Sequence, residues 1–167
     1  MTNTLYRPLL LLSLLLCGAL FGFFYAWVCS TMWGLDQADP RTAIAAMQAM
    51  NASVRNAVFA PAFFGTPVAL AITTVILFLA AQRAAAGWCL GAALLVTFPG
   101  VLLTMAVNVP MNEALGATPV PEDIETARQI WQGYSPEWQF WNQLRTAATG
   151  LGMLCLGMAM LSVGKKT

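Results

Sequence analysis

Residues 57–81 read AVFAPAFFGTPVALAITTVILFLAA, 25 positions without a charge. A helix rises about 1.5 Å per residue, so about 20 such residues cross a bilayer core of about 30 Å. Three more runs have the same character: Pro8–Cys29 with 22 residues, Ala84–Asn112 with 29 and Thr146–Gly164 with 19. All 8 basic and 7 acidic residues lie between or outside these runs. The chain is 9% charged, against about 25% for a soluble domain. The pattern predicts an all-α integral membrane protein. Its architecture is an antiparallel four-helix bundle with two longer, partly helical loops on the non-cytoplasmic side. Spans are expected at about 8–29, 57–81, 86–109 and 143–164 within a single domain over residues 1–167.

The first run is longer than the h-region of a signal peptide, about 7–15 residues, and no A-x-A site follows it. Leu16 before Cys17 does not fit a lipoprotein. It reads as a retained signal-anchor helix. The second and third runs are joined by a tight turn at Gln82-Arg83, whereas Ser30–Asn56 and Glu113–Arg145 are long connections. Arg7, Arg83, Lys165 and Lys166 stand on the short side without an acid. Basic residues in short flanks mark the cytoplasmic face. The expectation is a multi-pass membrane protein with both termini on the cytoplasmic side.

Both long connections carry helix signals. Asp39-Pro40 places a capping carboxylate before proline at the first helical position. Ile44, Met47, Met50 or Asn51, Val54 and Val58 follow at helical spacing, predicting a surface helix over about 40–55. Pro121-Glu122-Asp123 starts a second surface helix, about 121–133, with acids at its positive end and Gly133 to stop it. Ser135-Pro136-Glu137 then caps a new helix that continues into the last span. Pro61, Pro67 and Pro99-Gly100 are candidate kinks, and Ala148 with Gly152 allows a close helix approach.

The chain has no histidine, which argues against His-ligated haem, most zinc sites and a Ser–His hydrolase. Cys17, Cys29, Cys89 and Cys155 form no C-x-x-C pair and read as small buried hydrophobes. Nine methionines offer thioethers suited to Cu(I), yet methionine is also ordinary packing. No metal and no cofactor is expected. A net charge of +1 gives no reason to expect nucleic acid. Membrane lipid is the expected surrounding partner, and a homo-oligomer is compatible with the pattern.

Two segments concentrate the polar residues. Trp138, Trp141, Asn142 and Arg145 are three or four apart, hence on one helix face. Asn108 and Asn112 are four apart, with Pro110 between them expected to bend or break the helix. Arg145 near hydrocarbon needs a carboxylate, a carbonyl or a route to headgroups. Glu113 is its nearest partner by topology. The plainer reading makes Trp27, Trp33, Trp131, Trp138 and Trp141 an interfacial belt, with a snorkelling arginine and capping asparagines.

Met47-Gln48-Ala49-Met50-Asn51, Asn56 through Phe64, Asn108-x-Pro110-x-Asn112 and Trp138-x-x-Trp141-Asn142-x-x-Arg145-Thr146 together resemble the anthrone-oxygenase-like family of small four-helix membrane proteins, in its bacterial pattern. The resemblance runs nearly the whole chain and implies the cytoplasmic (inner) membrane of a bacterium. It implies oxidation of anthrones to anthraquinones without metal or flavin. On that basis Arg145, Asn142 and Glu113 are the candidate catalytic residues. Trp138, Trp141, Asn108, Asn112 and Asn51 are the candidate ligand-binding residues, for an aromatic or quinone-like molecule sandwiched by the tryptophans. The competing function is a non-enzymatic module binding lipid, quinone or a partner membrane protein. No ionisable group lies mid-span, which argues against a transporter.

Overall fold

The computed structural model describes residues 2–164, so the basic pair Lys165-Lys166 lies outside the described residues. Helices are α1 (Thr2–Ala26), α2 (Met32–Gln37), α3 (Pro40–Ser53), α4 (Phe59–Leu79), α5 (Arg83–Leu95), α6 (Val109–Gly116) and α7 (Ile124–Ser162). Wider π turns at Trp27–Thr31, Val96–Leu102 and Thr104–Asn108 splice α1 to α2 and α5 to α6. Four helical runs are long and apolar enough to cross a membrane: Leu5–Gln37, Phe59–Leu79, Arg83–Gly116 and Ile124–Ser162. The chain is an all-α, multi-pass membrane protein.

The local causes are readable. The Asp39 carboxylate accepts the Arg41 N–H at 2.9 Å and starts α3. The Asp123 carboxylate accepts the Thr126 N–H at 2.8 Å and starts α7. Asn56 Oδ1 accepts from the N–H groups of Val58 and Phe59 at 2.8 and 2.9 Å, which opens α4. These bonds satisfy donors that a helix start leaves free. At the tight turn Ala81 takes a φ of 59°. The small side chain keeps that left-handed conformation affordable.

Three sequence expectations are corrected. The first long connection does not begin at Ser30, because the helix continues through a π turn to Gln37. Pro110 does not break its helix; it sits in the first turn of α6, directly after the Thr104–Asn108 π turn. The helical run Arg83–Gly116 continues through it, as membrane helices can where neighbours or local π geometry satisfy the freed carbonyl. Gly133 ends nothing, and Ser135-Pro136-Glu137 caps nothing, since α7 runs unbroken through both. The Asp36 carboxylate explains this. It accepts from Trp131 Nε1 at 2.9 Å, Ser135 Oγ at 2.6 Å and Gln139 Nε2 at 2.8 Å. Those residues are four apart on α7 and straddle Pro136. The carboxylate thus splints the turn from which proline removes a backbone bond.

Two apolar clusters fill the bundle. The inner one holds Leu10, Cys17, Leu20, Phe24, Leu70, Leu77, Cys89, Val96 and Leu156. A Ser13–Thr73 hydroxyl pair at 3.0 Å ties α1 to α4 within it. A Cβ on Gly152 would lie 3.0 Å from Val96 Cγ2 and 3.4 Å from the Ala92 carbonyl, so this glycine sets the approach of α7 to α5. The outer cluster packs Met32, Ile44 and Met47 against Leu115, Trp131, Tyr134 and Trp138. Gln48 Nε2 adds bonds of 2.8 Å to the carbonyls of both Leu115 and Thr118, fastening α3 onto the end of α6. Between the two clusters the helices do not close.

Candidate functional site

The space between the clusters is a cavity of about 590 Å³, within the range of small-molecule sites. Phe23, Phe24 and Trp27 of the first run, Phe59, Phe63 and Phe64 of α4, and Trp138 of α7 form an aromatic wall. Asn51, Arg55, Asn56, Asn112 and Glu113 supply polar groups on the outer side. Arg145 and Thr104 lie on the inner side. Two of the π turns, Trp27–Thr31 and Thr104–Asn108, supply lining residues, and such turns concentrate at functional sites.

Arg145 is the chemical centre. It is 4% exposed. Its Nε donates to Asn142 Oδ1 at 2.9 Å and its Nη1 to Thr104 Oγ1 at 3.2 Å. The guanidinium carbon sits 4.5 Å from the Phe24 ring centre and 5.0 Å from that of Trp138. Every one of these partners is neutral. The ion pairs among the described residues are Arg41–Asp39, Arg55–Glu113 and Arg128–Glu125. Glu113 is therefore not the partner of Arg145; it reaches Arg55 at 2.9 Å on the exposed rim. A buried cation held only by amide, hydroxyl and ring faces is under-compensated, and an anion or polarised oxygen arriving beside it would complete it.

The other expected residues divide. Asn142 Nδ2 donates to the Phe24 carbonyl at 3.2 Å, which points its oxygen at Arg145 and makes it a positioning residue. Asn112 Oδ1 accepts from Tyr134 Oη at 2.7 Å and from Trp138 Nε1 at 2.8 Å. The indole can only donate, so the amide's orientation is fixed and its NH₂ is the end left for a ligand. Asn51 lines the cavity with a buried Nδ2 that has no protein partner. Asn108 is fully buried behind the wall, with a long 3.5 Å bond to the Trp138 carbonyl and an unpartnered Oδ1.

Trp141 is a correction. It is half-buried, packs edge-on against Phe140 at 5.1 Å and does not line the cavity. The expected Trp138–Trp141 sandwich is absent. Trp27, read from sequence as belt, instead lies 5.2 Å from Trp138 at an interplanar angle of 59° and is 8% exposed. Nothing in the local sequence distinguishes Trp27 from Trp33, which is exposed. Thr104 and Phe24 were also missed, as ordinary span residues. Among the described residues no group of three or more His, Cys, Asp or Glu is gathered that could hold a metal ion.

Fold and site define a small helical membrane protein with an aromatic cavity, holding a buried arginine, between its two apolar clusters. The family model described as anthrone oxygenase matches residues 55–155, and the chain belongs to that family. The matched segment contains Asn108, Asn112, Glu113, Trp138, Asn142 and Arg145; Trp27 and Asn51 fall before it. No curated protein and no solved structure matches the chain.

Proposed function

We propose that this protein binds a planar phenolic or quinone-like molecule in the cavity and oxidises it with dioxygen. The observation that carries the reading is Arg145: buried, facing an aromatic cavity, and without a carboxylate among its contacts. A ring carbonyl or phenolate oxygen on that guanidinium would gain a charge-assisted hydrogen bond. Loss of a proton from an adjacent ring methylene gives an enolate whose charge develops at the same oxygen. A preorganised cation stabilises such charge as it forms. Glu113, the cavity's carboxylate, is the base in this reading. In the oxidation the methylene carbon loses both C–H bonds and becomes a carbonyl. One atom of dioxygen enters that carbonyl and the other leaves as water, so the electrons given up match those dioxygen accepts. Asn112 and Asn51 orient the distal oxygens. The site lies on the non-cytoplasmic side of a bacterial inner membrane, with both termini in the cytoplasm, in keeping with the basic short side.

The test is turnover of 1,8-dihydroxyanthrone by purified protein in detergent, with labelled dioxygen. One labelled atom in each anthraquinone formed above the spontaneous rate is expected. Arg145→Met should weaken saturable binding about 10- to 100-fold and abolish turnover, and Glu113→Gln should abolish turnover alone. Saturable binding with no turnover beyond background would leave a non-enzymatic quinone- or phenol-binding module. No binding at all would overturn both forms of the proposal.

A further inference from the structure

The cavity has two openings of opposite character. Toward the outer surface its rim carries Arg55, Asn56 and Glu113. The Arg55–Glu113 ion pair, 2.9 Å, crosses that mouth and links the α3–α4 connection to α6. The second opening is lateral. α4 packs along α5 and onto Val96–Leu102, but makes no comparable packing against Thr104–Asn108 or α6. The two spans therefore diverge above the π turn that holds Pro99 and Gly100. Phe64 on one side and Met105 on the other both line the cavity, yet are 56% and 46% exposed.

The depth and chemistry of this gap differ from those of the mouth. Phe64 lies five residues into α4 from Phe59, about 7.5 Å inward. Met105 lies eight residues inward of Glu113, about 12 Å. From Phe59 to Phe64 the α4 edge has no polar side chain, and Met105 and Val109 face it. Thr104, the neighbour of Met105, accepts the hydrogen bond from Arg145. The uncompensated guanidinium is thus one residue behind an apolar slot that opens at bilayer depth. A water-soluble ligand has no use for such a slot. An amphiphile with an apolar body and one acidic oxygen fits both parts of it.

We infer that the cavity is loaded from the bilayer, through the gap between α4 and the Thr104–Val109 segment. The ligand is a membrane-dissolved phenol whose acidic oxygen reaches Arg145 while its apolar body passes between Phe64 and Met105. The inference rests on the phenol-binding reading above. It adds the route and the substrate class: lipophilic, with any ring substituents on the far side of the acidic oxygen left in lipid.

The test uses the full chain in phosphatidylcholine vesicles, with 1,8-dihydroxyanthraquinone as probe and tryptophan quenching in stopped flow as readout. Met105→Phe, which narrows the gap, should slow both loading and release about tenfold or more, a larger change than in their ratio. Phe64→Ala should speed both. Arg55→Ala, which unlatches the aqueous mouth, should change the loading rate far less than Met105→Phe does. Rates that respond to Arg55→Ala and to neither gap variant would overturn the lateral route while leaving phenol binding intact. Absence of saturable quenching in the wild-type protein would overturn both. Quenching lost when part of the phosphatidylcholine is replaced by phosphatidylglycerol would mean that Arg145 takes a phospholipid headgroup, and the phenolic occupant would fall.

Discussion

Arg145→Met distinguishes a charge held for a ligand from a charge that holds the fold. The variant removes charged hydrogen bonds to Asn142 and Thr104, each worth about 1.5–3 kcal/mol. It also removes ring contacts to Phe24 and Trp138, each worth about 0.5–2 kcal/mol. Thr104 is not stranded, because its hydroxyl still donates to the Gly100 carbonyl at 2.6 Å, but the buried Asn142 Oδ1 is, at about 1–3 kcal/mol. Against these losses stands the burial of an ion without a countercharge, an effective penalty of several kcal/mol. The opposing terms are of the same size. Stability should therefore fall by less than about 3 kcal/mol, where a broken buried ion pair would lose about 3–5 kcal/mol. Methionine's length and flexibility let it fill much of the vacated volume. Affinity for a dihydroxyanthraquinone should fall about 10- to 100-fold, the equivalent of one charge-assisted bond. The assay is reversible unfolding in mixed detergent–SDS micelles, followed by circular dichroism, alongside quenching titrations of the same samples. A stability loss above about 3 kcal/mol would refute the reasoning and make Arg145 a structural clamp.

Three further outcomes follow from the geometry. Trp27→Phe and Trp138→Phe should each remove a large part of ligand-induced quenching, while Trp141→Phe should leave it intact, because only the first two line the cavity. Gly152→Leu should destabilise by about 1–3 kcal/mol in the same unfolding assay, since even its Cβ meets Val96 and the Ala92 carbonyl. The Arg41 guanidinium and amide, both bonded to Asp39, hold that carboxyl down at about 2. A lowered folded pKa means that the cap's contribution is present above the unfolded value of about 3.9 and fades as pH falls through the folded one. The Arg41 amide resonance should accordingly titrate with a midpoint near pH 2; a midpoint near about 3.9 would remove the cap.

The spans were legible because hydrocarbon thickness imposes a length on any apolar run, and the Asp39 and Asp123 starts because capping is a local bond. Arg145 and Asn142 were legible as a pair for the same reason. Trp141 misled because a shared face is a matter of angle. At about 100° per residue it lies about 60° from Trp138 on one side, and Asn142 about 40° on the other. Burial extends to the second position and stops short of the first. The continuity of α7 was not legible, because the splint across Pro136 comes from Asp36, about 100 residues earlier in the chain. Nor was the role of Trp27, whose partner Trp138 belongs to another span. The separation of Glu113 from Arg145 depended on Arg55, which reaches α6 only once α3 is docked.

The π turns make the cavity a matter of phase. Each carries the chain around its axis with a wider repeat, so everything after it is rotated relative to an uninterrupted α-helix. Thr104 faces Arg145 at the start of the second such turn of the third span, and Asn112 faces Trp138 after it. Deleting one residue from Ala106–Val107 would restore an ordinary helix and swing α6 by about 100°. Asn112 would then turn away from Trp138 and Glu113 away from Arg55, although no side chain of the site had been altered. Insertions and deletions here act as a change of address for every later residue, so related chains with the same motif residues but a different spacing within this stretch should build a differently shaped chamber.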